Sequence, residues 1–140
     1  MPREDGSVTM WGVGLLVVVF GFAGLAIDTW RVFAERQALA GLADSAAIAG
    51  ANAIDLDAFR NDAVVVLDQF DARRRAAGYL ATRPEVRGGQ VDVTIAFPDG
   101  GVAITLRQEV ELTLLAFFLG GESIPMTTTA YARPGTQTAP

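Results

Sequence analysis

Hydrophobic and polar positions change period twice along this chain, and the changes mark out its elements. From Gly6 to Ile27 no residue carries a charge, and 8–27 is dominated by Val, Leu, Phe and Ile. A helix needs about 20 consecutive apolar residues to cross a bilayer, so 8–27 predicts a transmembrane segment behind a short leader, 1–7. The helical pattern then continues over 28–53, which contains no Pro and is rich in Ala, the best helix former. Leu39, Leu42, Ala46, Ala49 and Ala53 recur at three- and four-residue steps and predict one apolar stripe. Arg36, Asp44 and Asn52 fall on the wetter side.

Beyond Ala53 the signals become those of a small α/β head, 54–133. Ile54–Asn61 reads as a turn, and Val64-Val65-Val66-Leu67 as a short β-prone run. Asp68 is placed to cap a helix over Gln69–Thr82, with Phe70, Ala77 and Leu80 as its buried stripe. That helix ends at Arg83-Pro84, because the residue before proline avoids helical geometry. After Gly88-Gly89 the period becomes two. Val91, Val93, Ile95 and Phe97 alternate with Asp92, Thr94 and Ala96, and Pro98-Asp99-Gly100-Gly101 supplies a turn. Val102, Ile104, Leu106, Val110 and Leu112 then form the apolar face of a second strand. A third strand, about Ile124 to Arg133, has Pro125 where an edge strand tolerates it. Pro134–Pro140 reads as a flexible tail. The fold class is therefore α+β: a long N-terminal helix packed on a small three-stranded antiparallel sheet, with one additional helix.

Composition narrows the chemistry. The chain has 140 residues, so removing the anchor leaves room for one small domain with a modest core. A net charge of -5 argues against nucleic acid as a partner, since phosphate binding needs clustered basic charge. The chain has no His and no Cys, and all 11 basic residues are Arg. Ser-His-Asp triads, His-based zinc sites, Schiff-base lysines and phosphate-loop lysines are thereby excluded. Asp55, Asp57 and Asp62 cluster, but Phe59 stands where a calcium loop needs oxygen, and no glycine or terminal Glu follows at the required spacing. The expectation is a protein that is not an enzyme and that holds no cofactor or metal.

Candidate interaction residues lie mainly on the long helix. Ser7, Gly14, Gly21 and Asp28 recur every seventh position, and small residues on one face let another helix approach closely in lipid. With Leu39, Leu42 and Ala46 they define a helix-packing seam. Asp28 pairs either with Arg31 on its own helix or with a cation on a neighbouring subunit. Trp11 and Trp30 lie near the two ends of the span, as interfacial tryptophans do. Arg3 is opposed by Glu4 and Asp5, while Arg31 and Arg36 follow the span, so charge leaves the orientation open. A buried core helix and a secretory signal cut after Ala26 are the competing readings of the same run. Arg73-Arg74-Arg75 is either a solvated helix face or a contact for anionic headgroups or an acidic neighbour. Phe117 and Phe118, in an apolar connection between the last two strands, either contact lipid or a partner or close the end of the core.

The first third of the chain resembles the TadE/TadG-like proteins of tight-adherence (Flp) pilus assembly, which are related to type IV pilins. The matching residues are Asp5-Gly6-Ser7-Val8-Thr9 and the apolar run, then Gly24-Leu25-Ala26-Ile27-Asp28 with Arg31. Gln37-Ala38-Leu39-Ala40 and Ala43-Asp44-Ser45-Ala46-Ala47-Ile48-Ala49-Gly50-Ala51 follow. Thr129-Ala130-Tyr131-Ala132-Arg133-Pro134 is similar to the tails of such proteins. The resemblance implies a pilin-like, single-pass protein of the cytoplasmic membrane with its C-terminal domain outside the cytoplasm. It implies a minor pilin or assembly factor whose partners are membrane lipid and other pilin-like or pilus assembly subunits. It also implies a processing site after Gly6, leaving Ser7 at the new terminus. Processed relatives carry Glu at the fifth place after the cut, where this chain has Trp11; the TadG-like branch often lacks that Glu, so the resemblance is nearer to it. The alternative function is a tethered envelope ligand-binding or sensory module with no pilus role, which predicts a concave pocket in the head.

Overall fold

The computed structural model describes residues 5–62, 64–111 and 123–135. Phe117, Phe118, most of the leader and the end of the tail lie outside them. The expected long helix is present without interruption: α1 runs Asp5–Ala51, 47 residues, or about 70 Å at 1.5 Å per residue. The chain divides into two compact units, Met1–Ala34 with Glu111–Ile124, and Glu35–Val110 with Pro125–Pro140.

In the first unit, the described part of α1 presents its apolar side chains outward almost throughout. Val13, Leu15, Leu16, Val17, Val18, Val19, Phe20 and Phe22 are all exposed. Asp28 is the exception, at 2% exposure, and it has a polar or electrostatic partner.

The second unit contains the core. Three further helices, α2 (Leu56–Asp62), α3 (Gln69–Ala81) and α4 (Pro84–Arg87), and three strands, β1 (Val91–Ala96), β2 (Val102–Glu111) and β3 (Ser123–Ala132), follow α1. The strands form an antiparallel sheet in the order β1-β2-β3, so the class is α+β as expected. The β1–β2 hairpin pairs Val91 with Gln108, Val93 with Leu106 and Ile95 with Ile104, which puts the alternating apolar residues on one face. Its turn uses a left-handed Asp99 (φ 49°) and Gly100 (φ 73°), closed by Gly101 N–H donating to the Pro98 carbonyl at 2.9 Å. Val102, Ile104, Leu106 and Val110 are buried on β2, with Met126 and Ala130 on β3. Each of these side chains except the single methyl of Ala130 contributes about 1.5–3 kcal/mol by leaving water.

The helical side of this core is built from small residues, and here the expected phases need correction. On α1 the buried positions are Leu39, Ala43, Ala46, Ala47 and Ala51, while Leu42 and Ala49 are only half-buried. On α3 the buried stripe is Ala72, Ala76 and Leu80; Phe70 is 77% exposed and Ala77 is also exposed. Four-residue steps from Leu80 identify that stripe, but the large Phe70 drew the expected stripe to the wrong phase.

Two local expectations are revised as well. Ile54–Asn61 is not a simple turn. Asp55 accepts from the amides of Asp57 and Ala58 at 2.9 and 3.1 Å and so starts α2. Val64–Leu67 forms no strand; it makes a single bridge, Ile54 to Leu67, with Asp55 N–H on the Val66 carbonyl and Asp68 N–H on the Ala53 carbonyl, both at 2.9 Å. Asp68 does cap α3, accepting from Phe70 and Asp71 amides at 3.0 Å each. Pro84 then occupies the first turn of α4, where its missing N–H costs nothing.

Candidate functional site

Two surfaces have the geometry to contact other molecules, one in each unit. The first is the apolar half of α1. An added Cβ at Gly12, Gly14 or Gly21 would meet no atom within 4 Å, so these positions face open space. A concavity of about 880 Å³ lies along Val8, Trp11, Gly14, Leu15 and Val18. Glycine lowers the helix surface there, and the larger side chains form its walls. Gly6 and Ser7 fall inside α1, upstream of this concavity. Trp11 is 80% exposed, and Trp30 is exposed with its ring tilted against Phe33 at 6.5 Å. Thr29 returns its hydroxyl to the Leu25 carbonyl at 2.7 Å, which satisfies it without a partner helix.

The expected seam therefore has two environments. Gly14 and Gly21 are open. Leu39 and Ala46 are consumed by the core of their own domain, Leu42 is half-buried, and Asp28 is buried.

The second surface is a cleft of about 520 Å³ within the second unit. One wall is α1 from Glu35 to Ser45. The other comprises Tyr79 near the end of α3, Arg83 at the N-cap of α4, Glu85 on α4, Val91 at the start of β1 and Gln108 on β2. Arg83 donates to the Tyr79 hydroxyl at 2.6 Å, and its guanidinium lies 4.9 Å from the centre of the same ring. Ser45, whose hydroxyl also reaches the Gly41 carbonyl at 2.8 Å, hydrogen-bonds Tyr79. The Tyr79 phenol is held below its ordinary value of 10.0, first by Ser45 and then by Arg83, against the opposing effect of desolvation. Sequence reasoning missed this cleft because its walls come from five separate elements. One signal was legible: Gln108 stands between Leu106 and Val110 in the apolar register of β2, a place where a polar side chain needs a reason.

The basic triplet is divided among partners within the domain. Arg74 and Arg75 both engage Asp71, Arg75 at 2.6 Å, and Arg73 lies 5.3 Å over the Phe97 ring.

Among the described residues, α1 is long and apolar enough to cross a membrane over part of Val8–Ala51. Residues 6–53 match the model of the Tad family, described as "Putative Flp pilus-assembly TadE/G-like". That segment is TadE/G-like. It covers about a third of the chain and ends almost where α1 does. No curated protein and no solved structure matches the chain. The TadE/G-like segment thus unites the open glycine face with the Ala-rich stretch that builds the second unit's core. The cleft's second wall, 79–108, lies outside it.

Proposed function

We propose that this protein is a membrane-anchored, pilin-like component of a Tad/Flp-type pilus assembly system, acting as a minor pilin or assembly factor through helix–helix packing. The observation that carries this reading is the coincidence of the TadE/G-like match, 6–53, with one unbroken helix whose apolar part exposes Gly14 and Gly21. Lipid satisfies such a surface in the isolated protein. A neighbouring helix replaces lipid where glycine lets the backbones approach, since packing rather than hydrophobicity drives association in a bilayer. On this reading the protein sits in the cytoplasmic membrane as a single span, with its C-terminal domain on the far side, and acts by contact rather than catalysis.

The chain contains no Cys, so single cysteines introduced at Gly14 and Gly21 report on these positions alone. The expected result is crosslinking in cells to another helix of the assembly, with variants at Leu16, on the opposite face of α1, giving less product. Absence of any helical partner at both glycines overturns the reading. Mass spectrometry of the mature N-terminus then separates an intact chain from one cut after Gly6 or after Ala26.

The cleft favours a second reading, the tethered ligand-binding or sensory module. Replacing 8–27 by an unrelated apolar span distinguishes the two: pilus assembly fails under the first reading, while function survives under the second.

A further inference from the structure

We propose that the outer edge of β3 pairs, in parallel, with the β1 edge of a second copy of this chain standing beside it in the same membrane. The parallel arrangement rests on the membrane-anchored reading above, but the contact uses none of the residues assigned to the span.

β3 is an edge strand without the usual guards. In the sheet order β1-β2-β3, β1 and β3 each have a neighbour on one side only. Among the described residues, the backbones of 91–96 and 124–132 make no hydrogen bond to a segment outside the sheet. β3 is 10 residues long, carries no charged side chain, and has its one proline at the third place. Edge strands in soluble proteins are ordinarily short, charged, interrupted by proline or bulges, or covered. Thr127, Thr128 and Thr129 instead give β3 a β-branched centre, and the first and last of them are exposed.

The opposite edge has an incomplete core. Val93 and Ile95 pair with Leu106 and Ile104, which are fully buried, yet they themselves are only half-buried. A strand laid along β1 completes their cover. β3 carries Met126 and Ala130 on its own core face, so the apolar layer continues from one copy into the next. Asp92 is the one charged residue of β1, and β3 sets no like charge against it.

Direction follows from α1. Gly50 meets the Val102 side chain at the start of β2, while Leu39 and Leu42 share a cleft with Gln108 near its end. α1 therefore lies along β2 and runs against it. Pairing β3 with a second β3 about a two-fold axis is antiparallel, and it turns the second α1 end for end. Two copies held in one membrane by this continuous helix cannot adopt that arrangement. β1 and β3 both run antiparallel to β2 and so point the same way. A copy displaced sideways thus sets its β1 along β3 and keeps its α1 in the same sense. Such a contact is heterologous and leaves one edge free at each end.

The contact is small. The 6 residues of β1 span about 20 Å, and a layer about 10 Å thick gives about 200 Å² per partner. A stable complex buries about 800 Å² per partner, and parallel pairs are slightly weaker than antiparallel ones. The pair therefore forms where a shared membrane raises the local concentration of heads.

The test uses the full chain, which has no Cys, as two differently tagged single-cysteine forms co-reconstituted in lipid vesicles. One carries Thr94→Cys on β1 and the other Thr127→Cys on β3. Both threonines are exposed. Thr94 pairs with Thr105, whose hydroxyl lies 3.0 Å from that of Thr129, so both cysteines stand on the open face of the sheet. With a short bis-maleimide, the mixed-tag dimer is expected to exceed either same-tag dimer several-fold. Adding Thr129→Lys to the Thr127→Cys form is expected to bring it down to the same-tag level, because an edge lysine opposes pairing. A Thr127→Cys same-tag dimer as abundant as the mixed one assigns the edge to two-fold pairing and overturns the proposal. Mixed product no greater than both same-tag products overturns it too, as does mixed product that Thr129→Lys leaves unchanged. Crosslinks at Gly14 and Gly21 report on the span alone, so the two contacts can fail separately.

Discussion

Gly50 on α1 approaches Ala76 on α3 so closely that a Cβ at position 50 would lie 3.4 Å from that of Ala76. It would also lie 3.1 Å from the Val102 side chain and 3.2 Å from the Ala72 carbonyl. The helix–helix and helix–sheet contacts of the second unit meet at this point. Ala in place of Gly favours a helix by about 1 kcal/mol, but overpacking costs about 1–3 kcal/mol, and here one obstacle is backbone. Gly50→Ala is expected to lose about 1 kcal/mol net, and Gly50→Leu more than about 3 kcal/mol, read from urea unfolding of the detergent-solubilised chain.

Asp68 is a second test of the local argument. Its carboxylate satisfies two amides that α3 would otherwise leave without an intrahelical partner. Asp68→Ala is expected to lower stability by about 1 kcal/mol, and Asp68→Asn by much less, because the amide oxygen still accepts. Equal losses for the two variants in the same unfolding experiment would show that the cap contributes through charge and not through hydrogen bonding.

Tyr79 gives the cleft a spectroscopic signature. The chain has two tyrosines, and absorbance near the phenolate band separates them if one ionises early. Tyr79 titrates below its ordinary 10.0, chiefly because Ser45 hydrogen-bonds it and secondarily because Arg83 does. Ser45→Ala is expected to raise the midpoint toward 10.0, and Arg83→Gln to raise it too. With the folded value depressed, ionised Tyr79 stabilises the fold progressively as pH rises through that value.

The long helix, the α3 cap, the hairpin and the third strand were legible because each rests on local chemistry: a period, an Asp before a helix, a Pro-Asp-Gly-Gly turn. The phase of the Ala-rich faces was not. Ala43 and Ala47 look no different from Ala49 in sequence, and only the folded second unit, which buries the first two, distinguishes them. Phe70 misled for the opposite reason, since a large apolar residue marks a core position only when its neighbours can reach it. Of the two candidate surfaces, spacing pointed to the face of α1 where Gly14 and Gly21 stand open. Tyr79, Arg83 and Glu85 were not, because they meet α1 only after the chain has folded.

At the hairpin turn, Tyr131 from β3 covers Gly101. A Cβ on Gly101 would fall 2.5 Å from its hydroxyl, which accepts from Arg133 Nε at 2.6 Å and lies 3.4 Å from the Pro98 carbonyl. The ring is partly exposed and can swing outward, so Gly101→Ala is expected to cost only about 1 kcal/mol, the size of one lost hydrogen bond with its packing. Tyr131→Phe should cost less and should largely remove the penalty of Gly101→Ala in the double variant, which a double-mutant cycle by chemical unfolding measures.

Acid should loosen α3 through Asp71. Its carboxyl lies below its ordinary 3.8, mainly through the hydrogen bond from Arg75; desolvation opposes this, and the charges of Arg75 and Arg74 add to it. A carboxyl with a depressed folded value stabilises the native state above its unfolded value, and that contribution disappears as pH falls through the folded one. The window therefore opens near 3.8 and extends downward. Asp71 also stands in the first turn of α3, where a negative charge favours the helix dipole. Asp71→Asn is expected to flatten the pH dependence of stability below that value and leave the hairpin resonances unmoved. A variant with the same acid slope as the wild type would assign that slope to other carboxyls. Screening acts on such a surface pair, so the difference between the two chains should also shrink in high salt.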